Sequence, residues 1–224
     1  MEGRYDRNMP ALTPEECAAL REKRVCVVGC GGLGGYIIEL LARIGVGALN
    51  VVDSDVFEAS NLNRQLLCEE ESIGKKKADA AALRVARINS DIKVSAFPER
   101  FTKASAGRLL DGCDLAVDAL DSISSRLDLA DACAGAQIYL VHGAISAFFA
   151  QVSVVAPGSG ALSKLYPHGA ANPPTGGNLG FVASLCASLQ AAEAVKLLCG
   201  RPSELLGKLL FIDLRTMEFM KIEL

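Results

Sequence analysis

A strand that ends in clustered glycines and runs straight into a helix constrains this chain more than any other feature. Residues 24–29 read RVCVVG, an apolar run with the length of a buried strand. Gly29-Cys30-Gly31-Gly32-Leu33-Gly34-Gly35 then fits G-x-G-x-x-G, and residues 34–44 follow with helical spacing up to Gly45. Glycine lets the backbone turn tightly and approach a phosphate, while the helix N-terminus offers unpaired N–H groups and a positive dipole end. Gly29, Gly31, Gly32 and Gly34 are therefore candidate nucleotide-binding residues. Asp53 closes a second apolar strand, 48–53, where a carboxylate can accept hydrogen bonds from ribose hydroxyls. These features indicate an adenine nucleotide and leave NAD and ATP both open.

The alternation continues beyond the motif. Helices are expected at 75–89, 104–110 and 122–134, and strands at 92–97, 114–118 and 138–142. A β-α-β-α order argues for a parallel sheet with helices on both faces and right-handed crossovers. The pattern then changes. A strand is expected at 150–156, a Pro/Gly-rich loop without periodicity at 157–180, a helix of small residues at 178–198, and a closing hairpin from 208–214 and 217–224. The expected fold class is α/β: a Rossmann-like, mostly parallel sheet flanked by helices, with a C-terminal antiparallel extension. One domain is expected over residues 1–224, with an N-terminal arm at 1–22.

Composition narrows the function classes. The 224 residues carry a formal charge of −3, so no basic footprint for nucleic acid is expected. The longest stretch without Asp, Glu, Lys or Arg, 132–163, contains His142, Gln137, Gln151 and Pro157, and reads as two buried strands joined by a turn rather than a membrane span. The opening MEGRYDRNMP has no apolar run of a secretory signal, and a cytoplasmic protein is expected. No two of the eight cysteines form C-x-x-C, so zinc is not expected and a reducing compartment is the simplest account.

The segment after the second strand separates the nucleotides. In Asp53-Ser54-Asp55-Val56-Phe57-Glu58-Ala59-Ser60-Asn61-Leu62-Asn63-Arg64-Gln65, Arg64 can pair bidentately with phosphate oxygens, and Asn61 and Asn63 can donate amide hydrogens. Lys77 adds a compact cation, whereas Lys75 and Lys76 read equally well as a charged helix start. Asp118 and Asp121 form D-A-L-D at the end of the fourth strand, beyond which ligands of open α/β sheets sit. A carboxylate beside phosphates calls for magnesium, held by Asp121 and phosphate oxygens; the alternative is that Asp121 caps the next helix. His142 reads as a core histidine, and His168 in the loop has no evident role.

GCGGLGG, VVDSDVFEASNLNRQ, IGKKKAD and VDALDSISSR together resemble the MoeB/ThiF/HesA family, bacterial relatives of ubiquitin-activating enzymes, as do RYDRN and SLQAAEAVKLLCG. The resemblance implies an adenylyltransferase that uses ATP and Mg2+ on the C-terminal Gly-Gly of a ubiquitin-like sulfur carrier of the thiamine or molybdopterin routes. The family's glycine-loop contact falls on Gly32, its ribose carboxylate on Asp53, its phosphate-binding pair on Asn61 and Arg64, its lysine on Lys77 and its magnesium-linked aspartate on Asp121. Family homodimers lend an arginine across the interface, and that position matches Arg7. Three departures stand out. Ser122 replaces a frequent Asn, and Ser163-Lys164-Leu165-Tyr166 replaces a zinc-binding C-x-x-C. Asn172-Pro173-Pro174-Thr175 lacks the cysteine that links some members to their carrier.

The implied reaction needs no general base, because a C-terminal carboxyl with a pKa near about 3.5 is already ionised. Arg64, Lys77, Asp121 with its metal, and Arg7 from a partner would neutralise charge on the phosphates. The alternatives are another acceptor (tRNA threonylcarbamoyladenosine dehydratase-like chemistry or a short peptide), an NAD-dependent oxidoreductase, and a non-catalytic binding module.

Overall fold

The computed structural model describes residues 3–167 and 176–224. His168 and the stretch 172–175 lie outside the described residues. In chain order the elements are α1 (Pro14–Arg21), β1 (Arg24–Val28), α2 (Gly32–Ile44), β2 (Ala48–Val52), α3 (Lys77–Ile88), β3 (Lys93–Phe97), α4 (Lys103–Leu109) and β4 (Leu115–Asp118). There follow α5 (Ile123–Ala136), β5 (Tyr139–Ser146), β6 (Phe149–Val155), α6 (Ala161–Leu165), α7 (Gly180–Leu198), β7 (Lys208–Asp213) and β8 (Glu218–Glu223).

The eight strands among the described residues form one sheet in the order β3-β2-β1-β4-β5-β6-β7-β8. The pairings from β3 to β5 are parallel, and those from β5 to β8 are antiparallel. The expected mixed sheet is the one observed. Its strand order reverses direction between β1 and β4, which opens a crevice at their carboxyl ends.

Both faces are covered, and β1 displays the reason in its alternation. Val25 and Val27 join a core with Ile37, Ile38 and Leu41 of α2, Val85 of α3 and Ala187 of α7. Cys26 and Val28 point the other way, to Leu109 of α4 and Leu129 of α5. A strand buried on both sides reads as a continuous apolar run, as RVCVV does.

Several expectations need correction. The arm at 1–22 contains a full helix, α1. Thr13 accepts from Glu16 N at 3.2 Å, Glu16 accepts from Thr13 N at 2.8 Å, and Pro14 occupies the first turn. This reciprocal cap, T-x-x-E with proline inside it, was readable in the sequence. The loop at 157–180 is interrupted by α6, whose residues Ala161 and Leu162 are buried in the α4/α5 layer. The uncharged run 132–163 holds the end of α5, β5, β6 and the start of α6 rather than two strands alone. Among the described residues α7 is long and apolar enough to cross a bilayer, yet it packs on α2 and the sheet.

Candidate active site

The glycine loop is a place where atoms crowd. Gly29 adopts φ +99°, and a Cβ there would stand 2.4 Å from the Ala119 carbonyl oxygen. A Cβ on Gly34 would stand 1.8 Å from the Gly29 carbonyl oxygen. These two glycines let α2 start hard against β1 and the turn after β4. Gly32 serves the cleft differently, since its missing side chain leaves room beside the Arg64 stem, about 3.7 Å away.

A cleft of about 1070 Å3 opens above this loop at the β1/β4 switch point. Gly29, Gly31 and Gly32 line it, together with Asp53, Asn61 and Arg64. Lys77, Asp121 and Ser122 complete the wall. Gly34 lies behind it as a packing residue, and Arg7 is exposed elsewhere on the surface.

Asp53 ties the loop down. Its Oδ2 accepts from Cys30 N at 2.7 Å and its Oδ1 from Asp55 N at 2.8 Å. Burial pushes its carboxyl above the usual aspartate value, and the two backbone donors and Lys77 oppose that rise. Lys77, at the first turn of α3, is only 7% exposed, unlike the solvated Lys75 and Lys76 before it. Its Nζ lies 3.1 Å from Asp55 Oδ2.

The segment after β2 makes a tight turn. Asn61 is buried; its Oδ1 accepts from Glu58 N at 3.2 Å and its Nδ2 donates to Ser60 Oγ at 3.4 Å. Its amide therefore builds the turn as well as facing the cleft. Asn63 turns away, donating to the Asn178 carbonyl at 3.0 Å. Arg64 NH1 donates to Ser60 O at 3.1 Å and Asn63 Oδ1 at 2.9 Å, so the guanidinium rests on its own turn.

At the other wall the helix cap falls to Ser122 and not to Asp121. Ser122 is the N-cap of α5, accepting from Ser125 N at 3.2 Å. Asp121 stands one residue before that cap, exposed on the cleft. A lone carboxylate fits the magnesium mode in which phosphate oxygens supply other ligands. No cluster of three metal-ligating side chains occurs among the described residues.

Two cleft residues were missed in the sequence. Gln65 is 6% exposed, its amide packs by Gly31, and its Oε1 has no hydrogen-bond partner. Arg126, four residues into α5, is buried at the cleft floor. It closes the stretch VDALDSISSR, but α5 has no strong apolar stripe to place it on the inner face.

The chain as a whole matches known proteins. The ThiF family matches residues 5–224. The chain belongs to the ThiF family. It is 39% identical to the SAMP-activating enzyme E1 of Haloferax volcanii, over 96% of this chain and 83% of that protein. It is 36% identical to the sulfur carrier protein adenylyltransferase of Thermus thermophilus, over 98% and 86%. With the molybdopterin-synthase adenylyltransferase of Escherichia coli it shares 32% identity over 92% and 85%. Among solved structures, E. coli MccB with ATP superposes with a TM-score of 0.82 at 21% identity, covering all of this ThiF-family chain and 72% of MccB. That likeness is one of fold.

Proposed function

We propose that this ThiF-family chain is an ATP-dependent adenylyltransferase that activates the C-terminal glycine carboxylate of a ubiquitin-like sulfur carrier. What supports the reading is convergence. Three stretches far apart in sequence bring Arg64, Lys77 and Asp121 to the cleft that already holds the glycine loop and Asp53. A dinucleotide dehydrogenase would use the loop and Asp53 and have no task for the other three. The named relatives are activators of sulfur carriers or adenylyltransferases.

In the proposed reaction the carrier carboxylate attacks the α-phosphorus of ATP. A carboxylate O–P bond forms, the bond to the β-phosphate oxygen breaks, and pyrophosphate leaves with its electron pair. The carboxylate is ionised at neutral pH, so no side chain needs to take a proton. Asp53 orients the ribose. Arg64 and Lys77 offset charge on the phosphates, and preorganised charges of this kind dominate such catalysis. Asp121, with phosphate oxygens, would hold a magnesium ion, which supplies further positive charge. Arg7, distant from the cleft of its own protomer, is assigned to the cleft of a partner in a homodimer.

The test is exchange of labelled pyrophosphate into ATP with candidate Gly-Gly-ending carriers. Exchange that depends on the carrier, and fails when its final glycine is removed, supports the proposal. Exchange driven only by a short peptide or a modified tRNA would assign the other acceptors.

A further inference from the structure

Beneath the cleft lies a group of buried polar side chains that the proposed reaction leaves unused. Asp118 ends β4, and His142 of β5 and Gln151 of β6 follow it across the sheet on the face covered by α5 and α6. Arg126 enters from α5, and Tyr166 from the residue after α6. His142 and Asp118 are wholly buried. His142 Nδ1 lies 2.6 Å from Asp118 Oδ2, and its Nε2 lies 3.2 Å from both the Tyr166 hydroxyl and Gln151 Nε2. Gln151 also donates to the Tyr166 hydroxyl. Arg126 NH1 donates to the Gly143 carbonyl at 2.8 Å and stands 3.5 Å from Asp118 Oδ2, while its NH2 donates to the Leu120 carbonyl.

The carboxylate beside Nδ1 favours one tautomer of His142. A histidine that faces a carboxylate through Nδ1 carries its proton there, and Nε2 then accepts from the Tyr166 hydroxyl. Asp118 passes the constraint on through its second oxygen, which accepts from Leu120 N at 2.9 Å. Leu120 is held through its N–H by Asp118 and through its carbonyl by Arg126, so the peptide units on both sides of it are fixed, and the next residue is Asp121. Thus a continuous chain of hydrogen bonds runs from the residue after α6 to the turn that carries the cleft carboxylate.

Stability is a poor reason for such a set. Replacing buried ionic groups with apolar residues of similar volume is often neutral or stabilising, so their use lies in fixing geometry. Resting on the adenylyltransferase reading, we propose that Tyr166 and His142 are positioning residues for adenylyl transfer, which hold the Asp121 turn in place through Asp118 and the Leu120 amide. Neither residue touches the nucleotide in this scheme.

Two conservative variants test it in the intact protein. Tyr166→Phe keeps the ring and loses the hydroxyl. His142→Asn keeps an amide nitrogen near the Nδ1 position to donate to Asp118, and loses the acceptor at Nε2. Either variant speeds hydrogen exchange at the Leu120 amide, measured without any substrate. In carrier-dependent pyrophosphate exchange each lowers kcat about five-fold, the weight of one hydrogen bond. KM for ATP changes by less than about two-fold, since ground-state binding is untouched. The double variant is no worse than the weaker single one, because both cut the same link. Unchanged Leu120 exchange in both variants, kcat losses that multiply, or a lowered Tm with kcat intact would each overturn the proposal. Should His142→Asn not fold, Tyr166→Phe alone decides by the same readings. Wild-type protein inert with every carrier would sink the activity reading instead, and the Leu120 amide would still report whether the link exists.

Discussion

At the residue scale, the charges of the cleft divide into those that bind and those that hold. Arg64 rests on Ser60 and Asn63 with its stem over Gly32, and its substitution should leave the core intact. Arg64→Ala is expected to lower carrier-dependent pyrophosphate exchange roughly a hundredfold, with an unchanged unfolding curve. Gln65 makes a different prediction. Gln65→Leu removes a buried acceptor that has no partner, so Tm should not fall, while KM for ATP should rise about five-fold as one hydrogen bond is lost. Thermal unfolding and the ATP dependence of the exchange rate check both variants. His142 sets a pH dependence. Burial holds its pKa below the usual 6.5, against the opposing pull of Asp118 and with the help of Arg126. The unfolded chain therefore takes up its proton at higher pH than the folded one. The stability this neutral histidine allows is lost as pH falls from 6.5 through the lower folded value. Asp118 acts in a separate window. Burial raises its pKa, but Arg126 and His142 outweigh that and keep it below 3.8, so its contribution fades only at more acid pH. Urea unfolding at about pH 5 and about pH 7 should show a slope that His142→Asn removes. Motif residues such as Asp53 and Arg64 were legible because their chemistry is tied to a strand end or a turn. Gln65 and Arg126 were not, because one polar residue in a turn or on a weakly amphipathic helix looks like any other until its burial is known.

At the element scale, strands and helices of the parallel half were legible to within a few residues, since double-sided burial gives unbroken apolar runs. The helix α6 was not, because five residues with Pro and Gly on either side give no full period. Glycines with the same spelling make opposite demands here. Gly34→Ala would place a methyl 1.8 Å from the Gly29 carbonyl oxygen and separate α2 from β1, an overpacking cost of about 3 kcal/mol or more. Gly135, inside α5 with nothing within 4 Å of a built Cβ, is the contrast. Gly135→Ala should raise stability by roughly 0.5–1 kcal/mol through helix propensity. Chemical denaturation of the two variants side by side reads both signs.

At the scale of the whole molecule, the chain's sheet places its nucleotide cleft at the reversal of strand order, and Arg7 lies outside that cleft. If Arg7 serves a partner protomer, Arg7→Ala and Arg64→Ala proteins are each inactive alone. Mixed and allowed to exchange subunits, they should recover up to about a quarter of wild-type exchange, because one cleft in a heterodimer is then complete. No recovery, with subunit exchange verified, would assign Arg7 to its own protomer or to no catalytic role. The mixed sheet was legible in the sequence as a change of rhythm after residue 148.

Asp53 grips Cys30 N and Asp55 N with both of its oxygens. Both partners are the chain's own backbone amides, so the grips need no guest to form. The loop therefore arrives at each encounter already shaped, and capture of a nucleotide consumes little freedom of the chain. Discrimination among guests then falls to the side chains that line the rim, while the seat itself stays as the core made it.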